Sequence, residues 1–151
     1  MQNFSEGQHL ATIRDEDSIY SATEDGRVPF VSADDIAAAA AAALTRESSF
    51  NADFILTSSR AITYDEVAER VGKAIGRTIL HRRLSTTALA ERHVARGMGP
   101  IPAQMLAAMD AAIAGGAENR VTDWVEYLTG GPPVTFDAFV EGNTAKWSAR
   151  P

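Results

Sequence analysis

The run of alanines from Ala37 to Ala43, closed by Leu44 and entered through Val28-Pro-Phe-Val-Ser-Ala-Asp-Asp-Ile36, limits this chain more than any other stretch. Alanine is the strongest helix former and has no side-chain entropy to lose, so the segment is predicted as a helix. Ser32 is placed to cap it, Asp35 three residues on makes a weak capping box, and Asp34 and Asp35 both fall at the positive end of the helix dipole. A methyl-only surface lets such a helix approach another backbone closely, as a helix lies on a sheet. Just before it, Val28, Phe30 and Val31 form the β-branched and aromatic run of a buried strand, with Pro29 assigning it to an edge or a strand start.

The rest of the chain supplies what packs around that unit. Gln2 to Arg14 is expected to form a short helix carrying Phe4, Leu10 and Ile13, followed by a short extended piece at Ile19 to Ser21 and a turn at Asp25-Gly26. Phe54, Ile55 and Leu56 are consecutive apolar residues of the kind found in a doubly buried strand, and Thr78 to Leu84 alternates well enough for a third. Thr63 and Glu66 make a capping box for a helix that presents Val67, Val71 and Ile75 on one side and stops at Gly76. Ser85 caps a helix that ends before Gly97. Later helices begin at Pro102, Thr122 and Thr135. The expected fold is a helix-rich α/β to α+β domain over residues 1–151, with a small three-stranded sheet packed by helices.

Composition excludes several functions. With 14 Lys and Arg against 20 Asp and Glu, the chain has a net charge of -6, which argues against a nucleic-acid partner because phosphates call for a basic face. No cysteine is present, so disulfides, a thiol nucleophile and thiolate metal ligation are all ruled out. Three histidines without ligand spacing make no zinc site, and no metal is expected. The start is polar and acidic, unlike a signal peptide, and Ile36 to Leu44 is too short to span a bilayer, so no membrane partner and a cytoplasmic location are expected.

Four blocks of sequence, running nearly the whole chain in order, resemble a known family. They are Met1-Gln-Asn-Phe-Ser-Glu-Gly7, Asp25 through Ala37, Leu56-Thr57 with Ile62-Thr-Tyr-Asp-Glu-Val-Ala-Glu69, and Thr129-Gly-Gly-Pro-Pro-Val-Thr-Phe-Asp-Ala-Phe139. The family is the NmrA-like branch of the short-chain dehydrogenase/reductase superfamily, of the festuclavine dehydrogenase type. The resemblance is to its C-terminal, substrate-facing half, and it implies a fold derived from the corresponding half of a Rossmann fold. It also implies that Asn3, Phe4 and the Ser32-Ala33-Asp34 turn neighbour a substrate pocket, with late helices closing over it.

The chain carries no Gly-x-Gly-x-x-Gly before a helix and no Walker loop. Nor does it carry a Tyr-x-x-x-Lys pair, since Tyr20, Tyr64 and Tyr127 are followed four residues later by Glu24, Ala68 and Gly131. No cofactor is therefore expected for the chain alone. The candidate acid/base groups are His93, one turn after Leu89, and Asp34. Tyr20, Met98, Met105, Met109, Trp124 and Trp147 are candidate pocket walls for a hydrophobic small-molecule substrate, with most of these read as core. His81 and Arg83 share a strand face able to hold an anion, or simply a solvated one.

Three functions fit. The favoured one is a cofactor-independent enzyme of secondary metabolism performing acid/base isomerisation, epimerisation or cyclisation, a preference resting on Met1 as an initiator and on a chain ending after a complete helix. The second is a truncated or split NAD(P)-dependent reductase that needs a nucleotide-binding partner and exposes an apolar strand edge. The third is a non-catalytic ligand-binding or regulatory module. Under all three, the uncovered strands at 28–31 and 54–56 call for a cover, and a homodimer is the simplest.

Overall fold

The computed structural model describes residues 1–148. After a 3₁₀ turn at Gln2–Phe4, its elements run α1 (Leu10–Glu16), β1 (Ser18–Ser21), α2 (Ala33–Leu44), α3 (Tyr64–Ile75), β2 (Leu80–Arg83), α4 (Thr86–Ala95), α5 (Pro100–Ala114), α6 (Trp124–Thr129) and α7 (Phe136–Ser148). The two strands are parallel neighbours, with Ser18 opposite Leu80 and Ser21 opposite Arg83.

Local chemistry explains where most elements start and stop. Ser32 accepts the Asp35 N–H at the head of α2, and Ser85 accepts the Ala88 N–H at the head of α4. At α3 both arms of the Thr63–Glu66 capping box form, and Gly76 closes the helix in the left-handed region with φ 68°. The Thr135 hydroxyl accepts the Ala138 N–H at the head of α7. Departures from expectation are equally local. The N-terminal helix splits into the 3₁₀ turn and α1, with Gly7 packed so tightly under Asn3 that a Cβ there would lie 2.9 Å from its Cα. Helix α5 takes Pro100 rather than Pro102 as its first residue, a position where the missing N–H costs nothing. Thr122 does not cap α6, because its backbone N–H and hydroxyl are turned back onto Thr57 and Ile55.

The expected three-stranded sheet is a correction: the described residues hold a two-stranded one. Ile19–Ser21, expected only as a short extended piece, lies in β1 (Ser18–Ser21). Val28–Val31 and Phe54–Leu56 run extended but form no ladder beyond a single bridge, Val28 to Ile62. β-branched and aromatic side chains favour strands at both places, yet a strand also needs a continuous ladder: segment 58–62 bonds Val28 and Pro29 only at isolated points, and the Met1 amino group takes the Val31 carbonyl.

One side of the molecule is densely packed. Phe4 is 1% exposed and meets four other rings: His9 stacked at 5.0 Å, and Phe30, Tyr64 and Phe136 edge-on at 5.1, 5.7 and 5.8 Å. Val67 and Val71 of α3 and Phe139, Val140 and Trp147 of α7 complete this core. The Trp147 indole donates to the Phe4 carbonyl at 2.7 Å, so the largest buried side chain leaves no orphaned polar atom. Among the described residues no helix is long and apolar enough to cross a membrane.

Candidate functional site

In open α/β sheets, ligands gather outside the C-terminal ends of parallel strands. Here those ends are Ser21 and Arg83. The His81 side chain, 0% exposed, bridges Asp65 in the first turn of α3 (Nδ1 to Oδ1, 3.0 Å) and Ser21 (Nε2 to Oγ, 2.7 Å). An ionised Asp65 can only accept, so a neutral His81 donates from Nδ1 and accepts the Ser21 hydroxyl proton at Nε2. Ser21 in turn meets the Thr23 hydroxyl at 2.7 Å and accepts the Thr23 N–H at 3.3 Å. Arg83 bonds Asp65 from the solvent side and reaches Asp25 at 2.7 Å. Burial alone would lift the Asp65 carboxyl, but Arg83 and His81 outweigh it and hold the group below its ordinary range.

Ser21, His81 and Asp65 have the connectivity of an activated serine. However, Ser21 is 1% exposed and its oxygen is already engaged, so the relay fixes the strand end rather than attacking a substrate. What it positions is the turn Ala22–Gly26. From the other side, Asp110 of α5 accepts the Ala22 N–H at 2.9 Å, and burial raises its carboxyl against the pull of that bond and of His93 and His81. The C-terminal end of α5 presses on the same turn: a Cβ on Gly26 would lie 2.3 Å from the Ile113 carbonyl oxygen, which admits glycine alone.

A second concave region lies where the chain enters. A groove of about 440 Å³ is lined by Met1–Asn3, the extended segments 28–31 and 55–57, and Ile36 of α2. Around it, apolar side chains face outward: Ile36 is 46%, Leu44 85% and Ile55 45% exposed. Ala37, Ala40 and Ala41 of α2 are exposed as well, so this helix buries little beyond Asp35 and Ala39.

The candidate residues are scattered. Asn3 is exposed on the 440 Å³ groove, while Phe4 beside it is core. Ser32 is buried as the α2 cap and donates to Asp35, whose carboxylate also receives the Val134 N–H, and Asp34 is exposed in the same turn. Tyr20 lies half-buried with the Arg92 guanidinium 3.5 Å above its ring. Half-buried His93 belongs to α4, and Met98, also half-buried, follows it in the turn to α5. Met109 is 61% exposed on the outer face of α5. Trp124 packs edge-on to Phe54 at 5.0 Å and to Tyr127 at 5.5 Å, away from His93. Of Asn3, Ser32, Asp34 and Phe4, the structure gathers all at one corner. His93 does not join them. Among the described residues no cluster of three potential metal ligands is found.

Two features escaped the sequence reading. His81 is not part of a solvated strand face, because Ser21 and Asp65 enclose it, and Arg83 is already paired with carboxylates of its own chain, which leaves neither free for an anion. The register between β1 and β2 is what places Ser21 there, and no local signal announces it. His9 is 5% exposed against Phe4, and burial, with smaller contributions from His93 and His81, lowers its pKa to about 3.

No family model matches the chain. An agroclavine dehydrogenase of Claviceps fusiformis is 41% identical over 152 residues, covering 99% of this chain and 53% of the relative. A festuclavine dehydrogenase of Aspergillus fumigatus is 38% identical over 154 residues, covering 97% of this chain and 51% of the relative. The chain is homologous to half of an NmrA-like protein of the clavine dehydrogenase type. It spans about half the length of the relatives it matches. Among solved structures, an NADPH-dependent quinone oxidoreductase from Escherichia coli superposes with a TM-score of 0.81 at 22% identity, over 88% of this chain and 48% of that one. The fold is therefore half of a Rossmann-type one. These names overturn the expectation of a cofactor-independent isomerase, epimerase or cyclase, since the relatives are called dehydrogenases and the structural neighbour an NADPH-dependent oxidoreductase. The absence of a glycine-rich loop from this chain does not exclude nucleotide chemistry, because the relatives contain about as much chain again beyond the part matched here.

Proposed function

We propose that this chain is the substrate-side half of an NAD(P)H-dependent reductase of secondary metabolism, active on a hydrophobic small molecule once a nucleotide-binding half covers its open face. The observation that carries this reading is the face itself. Two extended segments without a ladder lie beside a helix, α2, whose Ile36, Ala37, Ala40, Ala41 and Leu44 look into solvent. A helix apolar nearly all round belongs in an interior, and an unpaired edge calls for another strand. The lack of a phosphate cradle then reflects a division of labour, with pyrophosphate held elsewhere.

The test joins this chain to the remaining portion of the C. fusiformis relative and measures NADPH binding by calorimetry, for the joined protein and for the chain alone. Saturable binding by the joined protein only, with NADPH-dependent reduction of a quinone, is expected. Tight NADPH binding by the chain alone, or a folded joined protein that ignores NADPH, would sink the proposal. A second copy covering the same face is the competing outcome: a dimer in sedimentation, dispersed by Ile36→Gln with Leu44→Gln, would favour it.

A further inference from the structure

Helices α4 and α5 are joined by the short turn Gly97-Met98-Gly99 and pack side by side, yet their seam is not filled. Leu89 of α4 packs with Ala107 of α5 on the inner side of the seam, but toward the groove the residues that face each other are small: Ala90 on α4 and Ala107 on α5, the latter 0% exposed. What remains is a groove of about 530 Å³, large enough for a drug-sized molecule, with Ala90, Val94 and Pro100 among its apolar walls. It opens beside Thr86 and Thr87, at the start of α4 just past the C-terminal end of β2, and its rim continues onto exposed Ile101 and Met105 of α5.

The polar groups on this groove are idle. Glu91 and Gln104 line it from opposite helices, and neither has a hydrogen-bond or ion-pair partner among the described residues. The nearest cations on α4 do not neutralise Glu91: Arg92 and Arg96 are both turned to Glu16, at 2.6 and 2.8 Å. A carboxylate left uncompensated over an apolar trough, on a chain of net charge -6, is complementary to one kind of guest. We infer that the α4–α5 groove binds a small organic cation, a flat or compact apolar body carrying an ammonium or similar group, with its body on Ala90, Val94 and Pro100 and its charge at Glu91. Gln104 serves the same guest by accepting from its N–H. These lining residues all belong to α4 and α5, so the groove is tested on this chain by itself.

Three probes of one shape isolate the charge: 9-aminoacridinium, neutral acridine and acridine-9-carboxylate, titrated into the purified chain at low salt and followed by fluorescence and by amide chemical shifts. The expected order is cation over neutral over anion, with a gap of about threefold between the first two, the scale of one partly exposed ion pair. Amide shifts should concentrate on 86–95 and 100–107. In Glu91→Gln the cation and neutral probes should bind alike, and Ala95→Leu, an exposed position on the groove wall, should weaken all three without lowering thermal stability. Ala90→Leu repeats that blockade from the floor. Equal affinity for all three probes, a charge preference that survives Glu91→Gln, or shifts centred outside α4 and α5 would each overturn the assignment.

Discussion

The two sides of this molecule follow different rules. Around Phe4, every large side chain has partners: five rings interlock, Trp147 hydrogen-bonds a backbone carbonyl, and His9 is sealed in at the cost of its charge. Around α2 and the outer face of α5, the side chains are just as apolar but point outward, with Ile101, Met105 and Met109 each more than 60% exposed. The same hydrophobic fraction therefore means core on one side and an unmet need for contact on the other. The difference teaches that the closed side carries the chain's own stability, while the open side holds apolar surface that adds little to it.

The largest test of that contrast is truncation. Phe4→Ala and Trp147→Ala should each cost about 3–5 kcal/mol in urea unfolding, whereas Met109→Ala should stay within about 0.5 kcal/mol. A closed-side truncation that costs less than about 1 kcal/mol would erase the distinction.

Acid should act on the closed side next. An unfolded chain protonates His9 near pH 6.5, but the folded one resists until about 3, so the unfolded state binds more protons between those values. The contribution is complete above pH 6.5 and is lost as pH falls, at up to about 1.4 kcal/mol per pH unit from this residue. His9→Leu should flatten that part of a stability-against-pH curve, and an unchanged slope would show that His9 is not sealed.

Ser21→Ala removes the hydroxyl bonded to the buried His81 Nε2, and a loss of about 1–3 kcal/mol in the same unfolding assay is expected. The smallest stability effect belongs to the open side: Ile36→Gln with Leu44→Gln should change unfolding of the chain by under about 0.5 kcal/mol. A large destabilisation there would mean the face is already buried in solution.

Elements with a local signal were legible from sequence. The Thr63–Glu66 box, the Ser32 and Ser85 caps and the Gly76 stop are chemical instructions contained within a few residues, and each appears as written. The sheet was not, because strand identity depends on neighbours: Val28–Val31 has the stronger β composition, yet Ser18–Ser21 pairs, since β2 lies beside it. Of the candidate site residues, Asn3 lines the 440 Å³ groove, while Ser32 and Asp34 belong to the adjoining first turn of α2. The His81 relay and the α4–α5 groove were hidden, because one depends on register across 60 residues and the other on small side chains whose meaning is the space they leave. The apolar composition of α2 announced a buried helix, whereas Ile36, Ala37, Ala40, Ala41 and Leu44 are exposed.

The bond between Trp147 and Phe4 joins residues 143 apart. A ribosome delivers this chain in order, at about 5–20 residues per second. Until α7 emerges, Phe4 faces water on the side Phe136 will close, and α3 has no lid over Val67 and Val71. This half therefore cannot settle while it is being made. Its aromatic nucleus waits for the last helix, and through that interval the chain's most adhesive surface is its future core.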